Sequence, residues 1–104
     1  MKEKNRTPIP EGVHPEEIIR LIGYNLTDLR SASAKRRLAD QRRVAAYVLR
    51  QFGLLEWHIG EVLNRKRVSV TAMLRTAYLV ENEIKKAMKL IGNSDYGKET
   101  TQKL

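Results

Sequence analysis

Between positions 65 and 75 the chain reads RKRVSVTAMLR, and the polar members of this stretch are suited to one kind of chemistry. Lys66 and Arg67 donate hydrogen bonds and carry charge, while Ser69 and Thr71 add hydroxyls that both donate and accept. Such groups in so short a span match phosphate oxygens and base edges. The elements that would position them are visible on either side. Apolar Ile59, Leu63, Val70 and Met73 fall where two short crossed helices must pack, Gly60 allows close approach, and Asn64 tolerates a left-handed turn. The outward set is then Lys66, Arg67, Val68, Ser69, Thr71, Ala72 and Arg75. The pattern over about 56–77 reads as a helix-turn-helix whose second helix would enter a major groove. The first six of these residues are the expected base-facing set, and Arg75 is expected at the backbone.

The composition agrees with a polyanionic partner. In 104 residues, 20 Lys and Arg face 12 Asp and Glu, a formal net charge of +8. Anionic lipid or an acidic protein would also be attracted. The distribution of charge favours duplex DNA, because the basic run Lys35, Arg36 and Arg37, followed by Arg42 and Arg43, lies just upstream of the motif rather than in a tail. There is no cysteine and only two histidines, His14 and His58, so a thiolate site is excluded and no metal centre or cofactor is expected. His58 and Glu61 share a helical turn, but two ligands are too few for a metal. No nucleophile has a base at catalytic spacing, so neither an enzyme nor a small-molecule substrate is expected. No apolar run reaches membrane-spanning length and the N-terminus lacks a hydrophobic signal core; a cytoplasmic protein with no membrane partner is expected.

Periodicity gives an all-α domain over 15–91, between a flexible N-terminal arm over 1–14 and a disordered polar tail over 92–104. Pro15 at a first helical position, Glu16 and Glu17 after it, and Ile18, Ile19 and Ile22 define a first helix that Gly23 ends. Thr27 and Asp28 offer caps for a short helix carrying Leu26 and Leu29. A long amphipathic helix is predicted from about Ala34 to Phe52, stopped by Gly53. The motif helices follow at Glu56 to Leu63 and at about Arg67 to Ile91. Trp57 and Tyr47, beside Phe52 and Leu55, read as core or boundary rather than as base-stacking residues.

The stretch from Pro15 to about Ile84 resembles the C-terminal DNA-binding domain of the bacterial replication initiator DnaA with its preceding connector helix. The resemblance is carried by EEIIRLIGYNLTDLRSAS, AKRRLADQRRVAAYVL, HIGEVLN and SVTAML, in the family's order and with nearly its spacing. It implies the helical fold that this family shares with the Trp repressor, and it puts Arg42 where the family has an arginine at the DNA backbone and minor groove. Where the family typically has GGRDHTTV, this chain has NRKRVSV, one residue shorter. Arg65 keeps the family's arginine, and Ser69 keeps a hydroxyl. Lys66, Arg67 and Val68 replace acid, imidazole and hydroxyl, so a different site should be read, since Lys and Arg donate to guanine where a carboxylate accepts from cytosine. Lys35, Arg36, Arg37, Arg42, Arg43, Arg65 and Arg75 are the expected phosphate contacts. The family's ATPase domain has no counterpart in these residues, and Gly97-Lys98 lacks the surrounding P-loop pattern, so origin melting by this chain alone is not expected.

Three roles fit such a domain in a bacterium, phage or mobile element: a transcriptional regulator with its own operator, an accessory replication factor, or a competitor at initiator sites. A rival from another class is a protein-interaction adaptor using the apolar stripe Leu79, Val80, Ile84, Met88 and Ile91. The same stripe could instead pack on the first helix or support a weak homodimer; a monomer or weak dimer is expected.

Overall fold

In a computed structural model, residues 7–94 are described, and they form six α-helices and one 3-10 turn without a β-strand. Helix α1 (Pro15–Leu21) begins on a proline with Glu16 and Glu17 in its first turn and buries Ile18 and Ile19. Gly23, at φ +85°, ends it where an L side chain would be strained. Helix α2 (Leu26–Arg30) is capped by Asn25, whose Oδ1 accepts from the Asp28 N–H at 3.0 Å, rather than by Thr27 or Asp28. An Asx cap three residues ahead of its donor satisfies an otherwise orphaned N–H.

Helix α3 (Arg36–Gln51) is the centre of the fold. Val44, Ala45 and Ala46 are all fully buried, which a helix covered on one side cannot achieve, and α3 packs against every other element. Leu38, Val48 and Leu49 complete its buried set. Gly53, at φ +95°, turns the chain into α4 (Glu56–Leu63). Helix α5 (Arg67–Arg75) follows a three-residue turn, and α6 (Glu81–Gly92) packs on α3 and α1. Tyr24, in the turn between α1 and α2, is partly buried; burial first, then Glu83 and Asp40, pushes its phenol above the usual range.

Two expectations are corrected. The single helix predicted over about 67–91 is broken: α5 ends at Arg75, a 3-10 turn spans Ala77–Val80, and α6 starts afresh. No proline or glycine causes this. Thr76 donates its hydroxyl to the Ala72 carbonyl at 2.8 Å and accepts from Arg43 Nε at 2.9 Å, competing with the helical ladder just where the chain must fold back onto α3. Of the supposed docking stripe, Val80 and Ile91 are buried and Ile84 is partly buried against the core, while Leu79 and Met88 stay exposed, as does Tyr78. The second correction concerns the arm. From residue 7 onward it lies on the domain: Ile9 and Val13 pack against the core, and His58, 3% exposed, meets the Thr7 carbonyl at 2.7 Å through Nε2. Its Nδ1 accepts from the Leu55 N–H at 2.7 Å, so the ring caps the start of α4 and ties down the arm at once. Residues 1–6 of the predicted arm and 95–104 of the predicted tail lie outside the described residues.

Candidate nucleic-acid interface

The turn between α4 and α5 is held from both sides. Asn64 adopts φ 57° and ψ 48°, as its type permits, and the Arg65 N–H donates to the Gly60 carbonyl at 2.8 Å. A Cβ at position 60 would stand 2.6 Å from the Arg65 carbonyl oxygen, so only glycine lets the turn fold back this closely. From the other side come Arg30 and Ser31 at the end of α2. Arg30 Nη1 donates to the Glu61 and Val62 carbonyls at 2.7 and 2.9 Å, placing a cation on the exposed carbonyls that end α4. Asn64 Nδ2 donates back to the Arg30 carbonyl at 3.2 Å.

Arg42 and Arg65 belong to this brace. Arg42 is 5% exposed; its Nε donates to the Leu29 carbonyl at 2.8 Å and its Nη2 to that of Ser31 at 3.0 Å. Arg65 Nη2 donates to the same Ser31 oxygen at 2.6 Å, and its Nη1 donates to the Leu63 and Asn64 carbonyls. Burial, and secondly the neighbouring Arg65, lowers the Arg42 guanidinium from its ordinary value. Arg42 and Arg65, both expected as phosphate contacts, thus spend these donors inside the protein, where they tie the turn before α5 to α2, α3 and α4.

The other expected residues lie around α5. Lys66, Arg67, Val68, Ala72 and Arg75 are exposed, and Ser69 and Thr71 are half-buried at the flanks. Opposite α5 stands the first half of α3, and between them lies a cleft of about 330 Å³ lined by Ala39, Arg42, Arg43, Arg65, Ser69 and Ala72, with Met73 and Thr76 at its end. Lys35, Arg36 and Arg37 are exposed at the start of α3. Helical spacing puts Lys35 and Arg36 on the same side of α3 as Ala39 and Arg43, so these cations continue the wall of the cleft.

Two carboxylates sit within this basic surface. Asp40 meets Arg43 Nη1 at 3.0 Å and Arg36 Nε at 3.6 Å; its spacing of three and four residues from them made that legible. Glu56, at the start of α4, accepts the Thr71 hydroxyl at 2.5 Å and lies 3.7 Å from Arg67 Nε. Its partners are 15 and 11 residues away on another helix, and no local pattern announces it. The hydroxyl proton of Thr71 is therefore already engaged inside the protein, which leaves Ser69 as the freer hydroxyl on α5. Arg30 and Ser31 were equally hidden, since Arg30 donates to carbonyls 31 and 32 residues on and Ser31 accepts from Arg42 and Arg65, 11 and 34 residues on.

Among the described residues, no group of three or more His, Asp or Glu could hold a metal ion, and no helix is long and apolar enough to cross a membrane. Comparison of the chain with models of protein families, with curated proteins and with solved structures found no match in any of the three. What the site can do has to be read from its own geometry.

Proposed function

We propose that this protein binds double-stranded DNA through a helix-turn-helix formed by α4 and α5, within a fold of the kind shared by the DnaA C-terminal domain and the Trp repressor. Helix α5 would enter the major groove, with Lys66, Arg67, Val68, Ser69 and Ala72 toward the bases. Lys35, Arg36, Arg37, Arg43 and Arg75 would meet phosphates alongside.

One observation carries this reading. The two helices that share the cleft, α3 and α5, both begin with cations, Lys35, Arg36 and Arg37 on one and Lys66 and Arg67 on the other, and neither has an acid in its first turn. A helix start already carries positive partial charge, and each added cation there costs about 0.3–1 kcal/mol. Two such starts on one side of a small protein form a site that a polyanion relieves.

The role that fits best is a regulator or accessory replication factor at its own operator, since Lys66, Arg67 and Val68 are poor substitutes for the residues that read the usual initiator box. Fluorescence anisotropy on mixed-sequence duplexes tests the binding. With about six phosphates neutralised, the log-log salt slope should be near −5. An affinity that does not change with salt overturns the reading. Random-sequence selection tests the role, and recovery of the ordinary initiator box would favour the competitor.

Tyr78 and Leu79, 72% and 59% exposed, favour a second reading as a protein-interaction adaptor. That reading predicts no duplex binding even at low salt.

A further inference from the structure

The cations around α5 surround something that is not charged. Val68 is 72% exposed, and Ala72 is exposed one turn later. At about 100° per residue, Val68, Ala72 and Arg75 lie within about 40° of the direction opposite Val70, which is fully buried. They form the crest of the helix, the part that would reach deepest into a groove about as wide as the helix itself. Lys66 and Arg67 precede the two apolar side chains at the start of α5, Ser69 flanks them and Arg75 follows them along the helix.

Valine at this place does little for the folded protein. It makes no contribution to the core, it stands on the second residue of α5, and β-branching lowers its helix propensity relative to the lysine, glutamine or alanine an exposed position accepts. Its neighbours attract a polyanion, and its own surface is a pair of methyl groups. Within the major groove one base edge alone offers a methyl for such a surface to meet, the 5-methyl of thymine.

We propose that Val68 and Ala72 are specificity-determining residues that read thymine 5-methyl groups, so that the preferred site carries thymine at one or two positions beneath the crest of α5. This rests on the DNA-binding reading and adds to it the chemistry of the bases selected. Lys66 and Arg67 supply donors for guanine at adjacent positions, and the apolar crest discriminates against cytosine, whose ring carries no methyl and whose amino group would lose its water against a hydrocarbon.

The test uses the full chain and the duplex recovered by random-sequence selection, with each thymine replaced singly by uracil, which removes the methyl and leaves every hydrogen-bonding group. At one or two thymines the dissociation constant should rise about fourfold, the worth of one buried methyl-sized group. In Val68→Ser and Ala72→Ser, whose exposed positions leave the core intact, the effect at the corresponding thymine should disappear while the salt slope stays the same. Indifference to uracil at every position, or an undiminished uracil effect in both variants, overturns the assignment while leaving the DNA-binding reading in place. Failure to bind any duplex at low salt overturns both.

Discussion

The molecule starts its helices in two opposite ways. On one side, α1 opens with Glu16 and Glu17 and carries Arg20 in its last turn, and α6 opens with Glu81 and Glu83 and carries Lys89 in its last turn. These charges complement the helix dipoles and stabilise the free protein. On the other side, α3 and α5 open with Lys35, Arg36 and Arg37 and with Lys66 and Arg67, against their dipoles. The same chain thus follows the stabilising rule on α1 and α6 and breaks it on both helices of one cleft. Under the DNA-binding proposal, a polyanion supplies the charge that these two helix starts lack.

Reversing the second side should have the largest effect. The combined variant Arg36→Glu, Arg37→Glu and Lys66→Glu is expected to weaken duplex binding on the order of a thousandfold, three charge-assisted contacts at about 1.5 kcal/mol each. Its melting temperature should not fall. The mirror variant, Glu16→Lys with Glu17→Lys, should lower the melting temperature and leave binding nearly unchanged. If the mirror variant, which makes the chain more positive, tightens binding about as strongly as the first variant weakens it, net charge explains the affinity and the contrast between the two sides means nothing.

Arg42 tests the brace beneath the site. Arg42→Met keeps much of the volume but leaves the Leu29 carbonyl without its donor, which should destabilise the fold by about 1–3 kcal/mol, read from the denaturant midpoint. In the variant that remains folded, base preference should relax while the salt slope changes little. A fall in the slope by about one, with stability unaltered, would instead make Arg42 a direct phosphate contact.

Glu56→Gln should produce a smaller change in the opposite direction. Its carboxylate neutralises Arg67 across about 3.7 Å, and the pair is partly exposed, so its removal should tighten binding by no more than about fivefold at low salt and less at high salt. Weaker binding would show that Glu56 serves to aim Arg67 and Thr71 rather than to compete with DNA. On stability, a small effect of the opposite sign to that of Arg42→Met is expected from Arg37→Glu alone. No partner within the described residues engages this exposed side chain, and a carboxylate in the first turn of α3 should raise the stability of the free protein by about 0.3–1 kcal/mol while weakening its hold on DNA.

The sequence by itself determined the parts whose causes are local. Pro15 opens α1, Gly23 and Gly53 end helices at positive φ, Asn64 takes the left-handed turn, and the bounds of α4 follow from the apolar spacing around Ile59 and Leu63. Each depends on neighbours within about one helical turn, so the residue type and its spacing suffice. The cations at the starts of α3 and α5 were legible for the same reason.

Tertiary structure decided the rest. Which arginines face solvent was not legible, because Arg42 and Arg65 differ from Arg36 and Arg67 only through carbonyls that other segments bring to them, 11 to 34 residues away. The docking of residue 7 on His58 spans 51 positions, and the contact of Arg43 with Thr76, where α5 ends, spans 33. In each case a polar group inside the protein must find a partner, and the chain's path, rather than the residue's own preference, selects which one it finds.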